Sequence, residues 1–260
     1  MDGLQCQVVL ITGASAGIGQ ALARENARWG AAVVLTGRRL DRLTTLAEDL
    51  TRQGARALAV ACDVTQDGDV EHAVAETLRH FGRLDVVIAN AGFGVVGPFV
   101  QLSIDDYRRQ METNVFGVLR TLYAAMPELR RQHGRIAIIS SVSGYVASPG
   151  ISPYCMSKFA LQALAGGLRY ELQHDGISVT NICPGFVESE IRQVDNSGIW
   201  HQERQDPIPS WLAMRADTAA KQIMRAILKR KGEVIITGHG KLLVWIQRHA
   251  PAFFASSSPV

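Results

Sequence analysis

The chain has 260 residues, of which 47% are hydrophobic and 20% charged, and its formal net charge is +3. This size and composition suit one soluble α/β domain over residues 1–260, and the small, evenly spread charge gives no reason to expect a nucleic-acid partner. No apolar run is long enough to span a bilayer, and residues 1–10 lack a secretory-signal pattern, so we expect a cytoplasmic protein. The four cysteines lack zinc-ligand spacing, so we expect reduced thiols and no metal site.

The first predicted strand, residues 7–11, runs directly into a glycine-rich turn and a helical pattern. A strand, a glycine turn and a helix in this order form the setting that a dinucleotide-binding fingerprint requires. The glycines let the backbone approach a pyrophosphate, and the N–H groups at the helix start face its oxygens. The spacing G-x-x-x-G-x-G differs from the common G-x-G-x-x-G. The predicted cofactor contacts of this turn are Gly13, Ser15, Ala16, Gly17, Ile18 and Gly19.

The second predicted strand, residues 32–36, ends at two arginines, Arg38 and Arg39. An NAD-selective site usually presents an acidic residue here, which binds the ribose hydroxyls. Arginines can instead pair with the 2′-phosphate of NADP(H). The alternative is that both are merely solvated at the start of the next helix. Because cations there oppose the helix dipole, a bound anion is the better explanation, and we predict NADP(H) as the cofactor.

Two further strands, predicted over residues 56–61 and 85–89, end at polar or small residues. Asp63 follows the first of them and can accept a hydrogen bond from an adenine amino group at the carboxyl edge of the sheet. After the second, Asn90-Ala91-Gly92 let a cofactor lie against the backbone. Strands and helices alternate along the whole chain, which predicts a Rossmann-type doubly wound parallel sheet of about seven strands with helices on both faces.

A long helix is predicted to open at Ser103, where Asp106 completes a capping-box pattern. Its apolar line includes Met111 and Val115, with Asn114 in mid-helix. Asparagine is a mediocre residue for a helix interior, so this position suggests a functional role. A solvent-facing asparagine is the alternative.

Tyr154 and Lys158 lie one helical turn apart near the start of the next long helix, predicted over residues 153–175 with Ser152 as its cap. A free phenol has a pKa of about 10, so it is a poor proton donor and base at neutral pH. A neighbouring ammonium and the positive helix end both favour the phenolate. Such a short pattern is by itself most often a chance pair on an amphipathic helix, and the upstream motifs raise its weight.

The last part of the chain is predicted to carry a polar, irregular substrate loop over residues 188–216, then a helix over 217–231 and a strand over 233–237. An apolar tail, residues 241–254, needs to be covered. It can pack against the substrate pocket or a partner subunit, or touch a membrane surface with the help of Lys241 and Arg248. Residues 255–260 are expected to be disordered.

Taken together, the motifs resemble the short-chain dehydrogenase/reductase family over residues 7–187, and more loosely to residue 237. The departures are small: Ala89 stands where the family has asparagine, and Ser189 where it often has threonine. The matching motifs are Thr12-Gly13-x-x-x-Gly17-Ile18-Gly19, Asp63-Val64, Asn90-Ala91-Gly92, Asn114-Val115-x-Gly117, Ser140-Ser141, Tyr154-x-x-x-Lys158 and Pro184-Gly185.

The resemblance implies a role for each catalytic candidate. Tyr154 would exchange a proton with the substrate oxygen, which Ser141 would orient. Lys158 would lower the pKa of Tyr154 and hold the nicotinamide ribose, and Asn114 would fix a water molecule in a proton relay. Ser189 keeps the hydroxyl that can hold the nicotinamide carboxamide. Further implied cofactor contacts are Val64, Pro184, Gly185 and Val187.

We therefore expect an NADPH-dependent reductase for a medium-to-large apolar carbonyl compound (a lipid, a steroid-like molecule or an aromatic ketone), or an alcohol dehydrogenase in reverse. The alternatives are a 3-oxoacyl thioester reductase and a non-catalytic NADP(H) sensor or scaffold. The presence of all three catalytic candidates, Ser141, Tyr154 and Lys158, argues against the sensor. A homodimer or homotetramer that pairs through the outer faces of the two long helices is the assembly that the resemblance implies.

Overall fold

The structure is a computed structural model, and it describes residues 4–250. Seven parallel strands form one sheet in the order β3-β2-β1-β4-β5-β6-β7, so the predicted doubly wound parallel sheet is confirmed. The central strands are short apolar runs that are buried along their whole length, as expected for strands with helices on both faces. The strands are β1 (Val8–Thr12), β2 (Ala32–Gly37), β3 (Ala57–Ala61), β4 (Val86–Ala89), β5 (Arg135–Ile139), β6 (Ser178–Cys183) and β7 (Glu233–Ile235).

Helices cover both faces of the sheet and form one apolar core on each side. One core contains buried residues of α1, α2 and α7, and the other contains those of α3, α5 and α6. In α2, for example, Leu43, Leu46 and Leu50 lie at helical spacing and are all buried. The helices are α1 (Gly17–Arg28), α2 (Leu40–Arg52), α3 (Asp69–Phe81), α4 (Ile104–Met111), α5 (Gly117–Gln132), α6 (Ser152–Glu171), α7 (Ala216–Leu228) and α8 (Gly238–His249).

The long helix predicted to open at Ser103 begins as expected, because Ser103 and Asp106 form the reciprocal capping box. It is not one regular helix, however. A π-helical segment, Glu112–Phe116, separates α4 from α5. Such a segment holds an extra residue, which shifts the helical phase. Gln110 and Asn114 face the interior, while Met111 is only half-buried.

The start of α6 also differs from the prediction. The helix begins at Ser152 itself, so Ile151 stands at the cap position that was predicted for Ser152. The Ser152 hydroxyl instead pairs with the Tyr107 hydroxyl at 2.7 Å. This contact ties the first turn of α6 to α4, and it places Tyr154 within the first helical turn.

The predicted irregular segment over residues 188–216 is confirmed, apart from a short 3₁₀ turn at Glu190–Gln193. The tail forms α8, in which Val244 is buried while Leu242 and Trp245 are each 58% exposed. The expectations for residues 251–260 lie outside the described residues. Over the part that is described, every helix is too short or too polar to cross a membrane.

Candidate active site

The described residues form a cleft of about 640 Å³ at the carboxyl edge of the sheet, where β1 meets β4. The strand order reverses direction at this point, and open α/β sheets bind their ligands there. Gly17 faces a neighbouring hollow on the other side of the turn, and Asn114 is buried behind the wall of the cleft. The other predicted site residues line it: Gly13, Ser15, Ala16, Ile18, Gly19, Arg38, Arg39, Asp63, Val64, Asn90, Ala91, Gly92, Ser141, Tyr154, Lys158, Pro184, Gly185, Val187 and Ser189.

The glycine turn is tied to the end of β4. The Thr12 hydroxyl accepts hydrogen bonds from the N–H groups of Asn90 and Ala91, and the Asn90 amide donates to the Thr12 carbonyl at 2.9 Å. Gly13 has φ +66°, and a Cβ there would come within 2.8 Å of the Ala91 Cα. A Cβ on Gly19 would collide with the Gly13 carbonyl. The turn is therefore a close-packed cradle at the start of α1, which fits the pyrophosphate of a dinucleotide.

Arg38 and Arg39 both line the cleft, and each already has a partner on the protein. Arg39 donates from Nε and Nη2 to the Ser15 hydroxyl and from Nη1 to the Glu190 carboxylate at 2.7 Å. Arg38 donates to the Gly198 carbonyl at 2.7 Å. Glu190 and Gly198 belong to the segment of residues 188–216. Nothing in the sequence pattern marks these partners, because they lie far along the chain.

Asp63 lies at the end of the cleft nearest β3. Its Oδ1 accepts hydrogen bonds from the N–H group and the hydroxyl of Thr65, at 3.0 and 2.8 Å. Its own N–H donates to Asp69 at the start of α3. These bonds fix the carboxylate at the cleft wall.

Tyr154, Ser141 and Lys158 converge at the opposite end of the cleft. Ser141 follows β5, and its hydroxyl accepts from the Ser143 N–H at 3.1 Å. Lys158 donates from Nζ to the Ile139 carbonyl at 2.9 Å. The ring of Tyr154 also packs against the backbone near Gly94, where a Cβ would lie 3.5 Å from the ring.

The electrostatics of this group differ from the expectation that Lys158 sets the pKa of Tyr154. Burial raises the pKa of the Tyr154 phenol, and the hydrogen bond with Ser141 opposes that shift. Burial also lowers the pKa of Lys158 to about 8, since an ammonium is poorly solvated there. Both groups are thus biased toward their neutral forms by the surrounding protein.

Asn114 is only 1% exposed, so the solvent-facing alternative is wrong. Its Oδ1 accepts from the Phe93 N–H at 3.1 Å, and its Nδ2 donates to the Phe93 carbonyl and to the Ser157 hydroxyl. Gln110 binds the same loop through the Phe93 carbonyl and the Val95 N–H. The two amides fix the loop after β4, and the polar atoms of the Asn114 side chain are committed to this task. Gln110, one turn before Asn114, was missed because the buried face was predicted from the apolar residues Met111 and Val115.

His239 supports the loop after β6 and was also missed. Its Nε2 accepts a hydrogen bond from the Phe186 N–H at 3.0 Å, and its ring stacks on the Phe186 ring with 5.2 Å between centroids. A Cβ on Gly185 would collide with Thr237 and His239. The start of α8 therefore shapes the loop that carries the predicted cofactor contacts Pro184 and Gly185.

A family model described as short chain dehydrogenase matches residues 7–200. The chain belongs to the short-chain dehydrogenase family. Proteins of this family are oxidoreductases that use nicotinamide cofactors and act on small molecules.

Several curated short-chain dehydrogenases are similar to the chain. The 11-beta-hydroxysteroid dehydrogenase 1A of Arabidopsis thaliana is 39% identical over 196 residues, which cover 74% of this chain and 55% of that protein. The oxidoreductase UcpA of Salmonella typhimurium is 38% identical over 195 residues, 74% of each chain. The dehydrogenase/reductase SDR family member 7B of Bos taurus is 33% identical over 264 residues, 95% of this chain and 78% of its own. The match spans about half the length of the Arabidopsis relative.

Solved structures agree on the fold. A short-chain dehydrogenase/reductase from Burkholderia phymatum in complex with NAD has a TM-score of 0.88 and 23% identity, covering 100% of this chain and 99% of its own. An alcohol dehydrogenase from Thermococcus sibiricus complexed with 5-hydroxy-NADP has a TM-score of 0.76 and 29% identity, covering 88% and 95%.

Proposed function

We propose that this chain is an NADP(H)-dependent reductase of a medium-to-large apolar carbonyl compound, or the corresponding alcohol dehydrogenase in reverse. One observation carries the proposal. Tyr154, Ser141 and Lys158 line the same cleft as the glycine turn and the arginines after β2. A proton donor and a dinucleotide cradle in one cleft are what carbonyl reduction requires.

The cofactor would lie across the carboxyl edge of the sheet. The turn at Gly13 and Gly19 and the start of α1 would hold the pyrophosphate, and Asp63 the adenine. Arg38 and Arg39 would pair with the 2′-phosphate, because a planar guanidinium donates two parallel hydrogen bonds to phosphate oxygens. When bound, NADPH supplies the hydride for the reaction.

The side chains at the other end of the cleft would handle the proton. Tyr154 would donate it from the phenol to the substrate oxygen, and Ser141 would donate a hydrogen bond to the same oxygen and orient the carbonyl. Because burial raises the pKa of Tyr154, the phenol keeps its proton until a substrate accepts it. Lys158, on the same face of α6, would favour the phenolate left behind and would hold the nicotinamide ribose.

An apolar substrate is supported by the wall of the cleft and by the relatives. Beyond the polar catalytic group the lining includes Phe93, Val194 and Ile199. Apolar side chains around a few convergent polar groups are typical of a site for a largely apolar ligand. The relatives from Arabidopsis and from Sesamum indicum are named hydroxysteroid dehydrogenases.

A homo-oligomer is supported by the outer faces of α5 and α6. Tyr123 on α5 is 76% exposed and Tyr170 on α6 is 74% exposed, and Met156 and Phe159 also face outward. Aromatic side chains and methionine are enriched at protein–protein interfaces relative to the rest of the surface. We propose that two copies of the chain pair through these faces.

The discriminating experiment follows the absorbance of NADPH with a panel of ketones, aldehydes and 3-oxoacyl thioesters. Consumption with an apolar ketone supports the proposal, and consumption with thioesters alone favours the 3-oxoacyl reductase. Tight binding of NADPH without consumption by any member of the panel would favour a cofactor sensor.

A further inference from the structure

Glu190 lies where an anion is expected, next to the arginines that the proposed function assigns to the 2′-phosphate. Its Oε2 accepts from Arg39 at 2.7 Å, and both of its oxygens accept from Arg42 at 2.8 and 2.9 Å. Burial alone would raise the pKa of Glu190, but the hydrogen bonds from Arg39 and then Arg42 outweigh it and hold the pKa below its ordinary value. At neutral pH the group is therefore a carboxylate held by two guanidinium groups.

Arg39 already has two partners on the protein. Its Nε and Nη2 groups donate to the Ser15 hydroxyl in the glycine turn, and its Nη1 group pairs with Glu190. An incoming phosphate that pairs with Arg39 thus has to share or replace a partner. Ser15 is part of the cradle, whereas Glu190 lies outside it, at the start of the short 3₁₀ turn after β6. Glu190 is the partner that a phosphate would displace.

Electrostatics point the same way. A 2′-phosphate carries up to two negative charges at neutral pH, and Glu190 carries one. Two anions bound to one guanidinium repel each other. The side chains of Arg39, Arg42 and Glu190 are each about a third exposed, so solvent screens this repulsion only in part. Arg42 cannot simply turn to the phosphate, because the Trp200 ring lies over it with 4.5 Å between the guanidinium carbon and the ring centroid.

We propose that Glu190 is a specificity-determining residue of the cofactor site, a resident anion that competes with the 2′-phosphate for Arg39. The inference rests on the proposed use of NADP(H). With NADH the carboxylate stays paired with Arg39, so this arginine keeps an anionic partner and the non-phosphorylated cofactor is tolerated. With NADPH the carboxylate must yield. Glu190 therefore reduces the preference of the site for NADPH over NADH.

The test compares two ligands that differ by the 2′-phosphate alone, adenosine 2′,5′-bisphosphate and adenosine 5′-monophosphate, by calorimetry on the whole protein. For Glu190→Gln we expect the affinity ratio in favour of the bisphosphate to rise about tenfold, equivalent to about 1.4 kcal/mol. Binding of the monophosphate should stay within about twofold, because it does not reach the two arginines. The same shift is expected between NADPH and NADH.

Glu188→Gln is the matched control. It removes the same charge two residues earlier in the same segment, where the carboxylate accepts from the Ala216 N–H instead of from the arginines. Its affinity ratio should equal that of the unaltered protein. Thermal melts of both variants check that the fold is retained.

The outcomes separate this inference from the proposed function. If the unaltered protein prefers the bisphosphate and Glu190→Gln leaves or lowers the preference, the inference is overturned and the NADP(H) assignment stands. If neither protein distinguishes the two ligands, the NADP(H) assignment fails and the inference fails with it. A preference that emerges only in Glu190→Gln supports the competition while removing NADP(H) as the natural choice.

Discussion

The Lys158 ammonium lies 5.5 Å from the centroid of the Tyr154 ring, one turn further along α6. Lys158 is held against the end of β5 by its bond to the Ile139 carbonyl, and Tyr154 lines the same cleft as Ser141, which follows β5. Burial opposes the charged form of each. The site thus holds Lys158 and Tyr154 side by side although burial disfavours the charged form of each, which reduces the stability of the folded protein. Catalytic sites often reduce stability in this way.

Replacing Lys158 by methionine should therefore stabilise the cofactor-free protein while it abolishes turnover. Since burial lowers the pKa of Lys158 from its ordinary value to about 8, the buried ammonium costs stability at neutral pH. After the lost bond to Ile139 is allowed for, we expect a gain of about 2 kcal/mol in the free energy of unfolding at pH 7. Urea unfolding measures it, with Lys221→Met on the exposed side of α7 as the control.

The pH dependence of that gain has a definite sign. Between about 8 and the ordinary lysine pKa, the unfolded chain binds a proton that the folded chain has released, so the stability of the unaltered protein rises with pH in that window. The advantage of Lys158→Met should be full below pH 8 and vanish near pH 10.5. A variant less stable than the unaltered protein at pH 7 would show that the ammonium is well solvated.

Arg38→Asp should weaken NADPH binding far more than NADH binding. An acidic side chain after β2 repels a 2′-phosphate but can accept from ribose hydroxyls. We expect the ratio of the two Kd values to change by about 100-fold, which corresponds to the loss of roughly two charge-assisted hydrogen bonds. Fluorescence titration of both cofactors measures it, with Arg108→Asp on exposed α4 as the control. An unchanged ratio would move the phosphate contact to Arg39 or Ser15.

His239 should make cofactor binding sensitive to acid. Burial lowers the pKa of His239, and its unprotonated Nε2 accepts from the Phe186 N–H. Protonation removes that acceptor, so the contribution is full above the ordinary histidine pKa and is lost as the pH falls through the lowered value. We expect NAD⁺ affinity to fall on acidification in the unaltered protein.

The variant His239→Gln should bind NAD⁺ with an affinity that stays level over the same acid range, because an amide can accept the bond without titrating. The measurement uses NAD⁺ because the 2′-phosphate of NADP⁺ itself titrates at about pH 6. Equal acid sensitivity in the two proteins would assign the effect to another group.

The parts of the site that sequence could predict are those with local causes. The glycine turn, the capping box at Ser103 and the pairing of Tyr154 with Lys158 depend on residues within one or two turns of each other. The errors have equally local causes. The buried face of α4 was predicted from its apolar residues and carries Gln110 instead, and Ser152 had Tyr107 as a competing partner for its hydroxyl.

The contacts that sequence could not predict join distant parts of the chain. Glu190 meets Arg39, and His239 meets Phe186, only because the segment after β6 and the start of α8 fold back over the sheet edge. The choice of partner for a surface arginine or a half-buried histidine has no periodic signature. The balance of burial and charge at Tyr154 likewise depends on how tightly the finished site is packed.

The central claim is that the Tyr154 phenol delivers the proton of carbonyl reduction beside a bound nicotinamide. The direct measurement is the rate of NADPH consumption with a responsive ketone, together with the Kd of NADPH, for the unaltered protein and Tyr154→Phe. The account predicts a loss of rate of about 1,000-fold or more with the Kd within about twofold. Turnover by Tyr154→Phe within about tenfold of the unaltered rate would contradict it.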